Sequence, residues 1–197
     1  EINYRRFFDV SDLVSLRAED EEVGLRLELT PAKPVVLQGD EGLSQKGAEP
    51  GNASYYYSLT RMPTRGTIRT PSGTHAVRGD SWLDREWSTS VLSTGVAGWD
   101  WLSLQLTDST ELMMYRLRRA DGTVDPFSAA TFIDRDGTPT GIATSDFTML
   151  PIRTWQSRDG VAYPVAWRVA IPSLALALDV AAVIDDQDLH QGSRSGR

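Results

Sequence analysis

Residues 98–119 read GWDWLSLQLTDSTELMMYRLRR, and the fold turns on how this stretch divides. Two apolar-rich runs, 98–106 and 111–119, flank the polar turn TDST at 107–110. In the first run Leu102, Leu104 and Leu106 fall on one side of an extended chain, and Trp101, Ser103 and Gln105 on the other. That is the period of two a strand imposes, because successive side chains leave a pleated backbone in opposite directions. Two such runs joined by a short polar turn predict a β-hairpin.

The same rhythm continues on both sides. From Gly24 onward short apolar segments alternate with the turn signals TPAKP, QGDEG, EPGN, TPSG, ADG, DRDG and SRDG. TFIDRDGTPTGIA (131–143) predicts a second hairpin with Asp-Gly at its turn, and AYPVAWRVAIP (162–172) a strand. SLALALDVAAV follows as a further strand, although its alanines suit a helix as well. The first 23 residues differ. SDLVSLRAEDEEV (11–23) predicts a short helix, with Ser11 as N-cap and Leu13 and Leu16 on one face. No fixed-period repeat is visible, so solenoids and propellers are set aside. The expected class is all-β with a short helical stub at the N-terminus.

Composition excludes several kinds of chemistry. The 197 residues contain no cysteine, which removes disulfides, thiolate nucleophiles and cysteine zinc sites. Twenty-seven acidic against twenty basic residues give a formal charge of -7, with no counterion release to drive binding of a phosphate backbone. No nucleic-acid partner is expected. Only two histidines are present, His75 and His190, neither beside a second ligand at metal spacing, so neither a metal nor a cofactor is expected. The longest apolar run, IPSLALALDVAAVIDD, is interrupted by Asp179 and too short to span a bilayer. With Glu1-Ile2-Asn3 at its start and no signal-like region, the sequence reads as a soluble fragment.

The ionisable groups that attract attention lie in GDSWLDREWSTS (79–90). On a strand Asp84 and Glu86 share one face, with Leu83, Arg85 and Trp87 on the other. A carboxylate pair can share a proton and serve acid–base catalysis. Equally, the acids can pair with Arg85 or Arg61 as a clasp that closes the sheet. The aromatics Tyr56, Trp82, Trp87, Trp99 and Trp101 are candidate ligand contacts, against the plainer reading that they pack a core.

KPVVLQGDEGLSQKG, NASYYYSLTRM, VRGDSWLDREWSTS and GWDWLSLQLTDSTELMMYRLRRADG together resemble the AttH family of lipocalin-like proteins, related to the carotenoid 1,2-hydratases (hydroxyneurosporene synthases). The resemblance runs from about residue 24 to 189. It implies two lipocalin-like antiparallel β-barrels side by side: residues 24–95 as the closing part of the first, 96–190 as a second lacking its last strands, and 191–197 as a polar tail. Residues 1–23 instead resemble a short piece of maltooligosyl trehalose synthase and are read as an unrelated stub. The resemblance implies a protein that binds an apolar small molecule such as an isoprenoid or lipid. Its alternative is a cofactor-free hydratase adding water to an isoprenoid double bond, with Asp84, Glu86 and Tyr115 as the catalytic groups. Arg85 stands where the hydratase branch has a histidine, and Leu117 near its expected aspartate, while Trp87 and Tyr115 match. Unpaired strand edges predict self-association. The family is compatible with a periplasmic or cell-envelope location.

Overall fold

The computed structural model of the protein describes residues 14–88 and 93–188. Among them the chain is strand and turn, with two single-turn 3-10 segments at Thr144–Asp146 and Pro172–Leu174. It divides into two compact units, the first running to Ile142 and the second starting at Ala143.

The first unit holds two sheets. One contains β1 (Val14–Glu19), β2 (Gly24–Leu29), β3 (Val36–Leu37), β4 (Leu43–Gln45), β5 (Ala53–Thr70) and β6 (Gly73–Ser88). Its spine is the long β5–β6 hairpin, in register from Thr70↔Gly73 to Ser54↔Ser88. On the opposite edge of β5, β2 pairs with the half after the bulge, and β3 and β4 pair with the half before it. That bulge lies between Leu59 and Met62. An extra residue there re-aims side chains, and Thr60 and Arg61, neighbours that a regular strand would point apart, both bond to Glu111.

The second sheet has the order β10 (Pro139–Ala143), β9 (Ala129–Ile133), β8 (Glu111–Arg119), β7 (Val96–Gln105). It contains both predicted hairpins. Trp101 pairs with Tyr115 and Ser103 with Met113, so these side chains share the face that meets the first sheet. Tyr56, Met113, Tyr115 and Leu117 form the buried cluster between the two sheets, with Trp82 and Phe127 packed against it. A fully buried methionine such as Met113 contributes about 1.5–3 kcal/mol of hydrophobic stabilisation.

A charged knot also joins these sheets. Glu111 of β8 is wholly buried and accepts from Lys33 Nζ at 2.7 Å and Arg61 Nε at 2.6 Å. Lys33 further donates to the carbonyls of Ser109 and Asp134, and Arg61 to that of Leu106. Gln105 adds bonds to the carbonyls of Thr60 and Ser81.

The second unit is a three-stranded sheet, β11 (Thr148–Gln156), β12 (Ala162–Ile171) and β13 (Leu176–Ala181), with β12 central. The alanine-rich β13 is a strand because its alternation matches β12, with Asp179 facing Arg168 across the ladder and paired to it at 2.8 Å.

Two expectations are corrected. The segment expected to be helical is strand β1 from Val14 to Glu19, while Ser11 and Leu13 lie outside the described residues. The physical reason is the turn after it: Asp20 Oδ1 accepts from the amides of Glu22 and Val23, which folds the acidic run into a hairpin and pairs Glu19 with Gly24. A barrel is also not seen, because among the described residues none of the three sheets closes on itself.

Candidate functional site

Strand alternation puts Asp84 and Glu86 on one face of β6, and the register sets Ser58 opposite Asp84 and Tyr56 opposite Glu86. Ser58 Oγ donates to Asp84 Oδ1 at 2.5 Å, and Ser54 Oγ donates to Glu86 Oε1 at 2.5 Å. Gln38 Nε2, from the segment after β3, donates to Ser58 Oγ. From the facing sheet Trp101 Nε1 donates to the Tyr56 hydroxyl at 3.2 Å, and the Asp84 charge acts on that hydroxyl. The result is two hydrogen-bonded groups, Trp101 with Tyr56 and Gln38 with Ser58 and Asp84, coupled through the Asp84 charge. Burial pushes the Tyr56 phenol well above its ordinary pKa, and the Asp84 and Glu86 charges add to the rise while the Trp101 N–H opposes it. Tyr56 is therefore a neutral hydrogen-bond donor at any physiological pH.

Lys46, just past β4, completes the cluster. Its ammonium pairs with Glu86 at 3.2 Å and lies 3.8 Å from the centre of the Tyr115 ring and 5.5 Å from that of Tyr56. Charge and aromatic faces are thus interleaved between the two sheets.

Beyond Tyr115 is a cavity of about 430 Å³ within the first unit. Leu37, Leu43, Met113, Phe127 and Ile142 give it a largely apolar wall, and Tyr115 and Ser44 contribute hydroxyls, their oxygens 3.4 Å apart. Its volume lies in the range of small-molecule sites, roughly 300–1,000 Å³. The tight turn into β4 depends on Gly39, which takes φ +74 with its Cα against the Leu43 carbonyl, where a Cβ could not fit.

The structure brings Asp84, Glu86, Tyr56, Trp82, Trp101 and Tyr115 to the space between the sheets of the first unit. Trp99 pairs with Leu117 and so shares that face, although it is 55% exposed. Trp87 does not join them; it lies on the opposite face of β6 against Tyr55 and Tyr57. Of all these candidates Tyr115 alone lines the cavity.

The expected clasp is corrected in its partners. Glu86 pairs with Lys46, whereas Arg61 pairs with Glu111 and Asp80. Arg85 projects from the face opposite both acids and forms no ion pair among the described residues. Lys46, Ser54, Ser58 and Gln38 escaped the sequence reading. Only the strand register, which links residues far apart in sequence, could have found them. No group of His, Asp and Glu among the described residues is arranged to hold a metal ion.

The first unit is thus a pair of facing β-sheets with hydroxyls, carboxylates and a cavity between them. The chain belongs to the AttH-like family, whose model matches residues 8–194. It is similar to the crystal structure of a protein of Nitrosomonas europaea assigned to AttH, with 37% identity and a TM-score of 0.76 over 82% of this chain and 50% of that one. It is 22% identical to kievitone hydratase of Fusarium solani subsp. phaseoli over 87% of this chain and 49% of the relative. The crystal structure of kievitone hydratase from Nectria haematococca shares the fold at a TM-score of 0.57 and 20% identity, over 81% of this chain and 49% of that one. The chain thus spans about half the length of the relatives it matches.

Proposed function

We propose that this AttH-type chain binds an apolar small molecule, such as an isoprenoid or lipid, in the cavity beside Tyr115. The observation that carries this reading is the cavity itself: about 430 Å³, with Leu37, Leu43, Met113, Phe127 and Ile142 in its wall beside alanines, prolines and a few polar groups, and with the Tyr115 and Ser44 hydroxyls at one place in it. Such a site gains from burying apolar surface and orients its ligand through a few polar atoms. In the longer protein residues 24–95 and 96–190 would belong to two lipocalin-like barrels. The test is displacement of a solvatochromic dye by isoprenoid alcohols, repeated with Ala129→Trp, a cavity-lining position that pairs with Tyr115 and shares its face. Loss of displacement with the melting temperature retained supports the reading; unchanged displacement refutes it.

A second reading, hydration of a double bond, is favoured by the carboxylates Asp84 and Glu86, each held by a serine hydroxyl near Tyr56, and by the relationship to kievitone hydratases. On it one acid protonates an alkene carbon, water attacks the resulting cation, and the water's surplus proton passes to a carboxylate, so that the net change is one water added. Arg85 weighs against this reading, since a guanidinium stays charged and cannot donate a proton near neutrality. Incorporation of oxygen from labelled water into an isoprenoid alkene, lost in Asp84→Asn, would establish it.

A further inference from the structure

Lys46 is the side chain at which the carboxylate strand and the cavity wall meet. Its ammonium is held by Glu86 at 3.2 Å on one side and lies 3.8 Å from the Tyr115 ring centre on another. A cation within about 6 Å of a ring centroid is attracted to its π face, and this one is only 18% exposed, so the attraction is weakly screened. The backbone is pinned as well. The Lys46 amide donates to the Asn52 carbonyl at 2.9 Å, and a Cβ at Gly47 would fall on the Asn52 and Ser93 side chains. The tilt of the Tyr115 ring therefore depends on a charged contact as well as on packing.

What that tilt directs is the phenol oxygen in the cavity wall. Its bond to Ser44 Oγ is long, 3.4 Å against an ordinary O–H···O distance of about 2.7–2.8 Å. Each hydroxyl can donate once and accept twice, so this pair keeps capacity for a further partner. A ligand oxygen would satisfy it, and a hydrocarbon would bury it unsatisfied. We propose that Lys46 is a positioning residue that holds the Tyr115 phenol as the reader of one ligand oxygen, so that the site prefers an apolar molecule with a hydroxyl or carbonyl group over the matching hydrocarbon. This rests on the cavity being a ligand site.

The test uses farnesol and its deoxy hydrocarbon 2,6,10-trimethyldodeca-2,6,10-triene, which differ by one hydroxyl, to displace N-phenyl-1-naphthylamine from the whole chain and from Lys46→Met, Lys46→Arg and Tyr115→Phe. The unmodified protein is expected to favour farnesol by about three- to tenfold, the worth of one hydrogen bond. Lys46→Met should reduce the preference below about twofold with affinity for the hydrocarbon unchanged, and Lys46→Arg should retain it, since guanidinium also stacks on a ring. Equal binding of the two probes by the unmodified protein, or an undiminished preference in Lys46→Met, overturns the inference while leaving the cavity a ligand site. Should Lys46→Met fail to fold, Tyr115→Phe decides: a preference that survives there overturns the inference. Binding of neither probe refutes the ligand site, and the inference with it.

Discussion

Replacing Glu111 by glutamine should destabilise the first unit more than any single exposed charge substitution. The carboxylate is 0% exposed, and its two cations are largely withdrawn from water, Lys33 at 5% and Arg61 at 17% side-chain exposure. Glutamine keeps the size but removes the charge, leaving two buried cations that share only carbonyl acceptors and the more distant Asp80. Breaking a buried pair from one side costs about 3–5 kcal/mol, because the remaining charge stays desolvated. At about 2–4 °C per kcal/mol for a chain of this size, the melting temperature should fall by roughly 6–20 °C. Glu28→Gln is the control, because Glu28 and Arg65 are 47% and 79% exposed and such pairs are worth about 0–1 kcal/mol. Thermal melts at low and high salt should show a large, salt-insensitive loss for Glu111→Gln and a small, salt-sensitive one for Glu28→Gln. A Glu111→Gln shift as small as that of the control would refute the argument that the knot holds the two sheets together.

Further outcomes follow from the same geometry. Met113→Ala should cost about 2–5 kcal/mol in chemical denaturation, because the side chain is buried between the two sheets of the first unit and its removal leaves a void. The pKa of Tyr56 is raised in the folded state, so its contribution is complete below the ordinary phenol value of about 10 and is lost as pH climbs from there toward the folded value. Stability measured from pH 8 to 11 should therefore decline on the alkaline side, less steeply in Tyr56→Phe. Trp101→Phe removes the indole N–H donor to Tyr56 and should cost about 0.5–1.5 kcal/mol in the same assay, with the β signal in circular dichroism unchanged.

What could be read in the sequence was whatever depends on local alternation. GWDWLSLQL and ELMMYRLRR carry the period of two so regularly that β7, β8 and their facing sides follow directly, and the Asp-Gly turn likewise marks β9 and β10. The placement of Asp84 and Glu86 on one face required only the alternation of LDREW. Residues 14–19 misled because spaced leucines among acids suit a helix, and what decided the matter was tertiary: pairing with 24–29 outweighed a weak local preference. The partners of the acids were hidden for a different reason. Lys46 is 40 positions from Glu86, and Lys33 is 78 from Glu111, separations that only the sheet register brings together. The bulge that turns Arg61 toward Glu111 left no signature in RMPTR that could be told from an ordinary strand.

Photolabelling tests most directly whether the space beside Tyr115 holds an apolar small molecule. A farnesol analogue carrying a diazirine would be bound to the whole chain, irradiated, and its attachment sites mapped by peptide mass spectrometry. Saturable labelling is expected only at the segments that wall the cavity, 37–45, 113–115, 126–131 and 139–142, competed by unlabelled farnesol. Labelling centred instead on the opposite face of β6, around Tyr55 and Trp87, or spread without saturation over exposed strands, would contradict it.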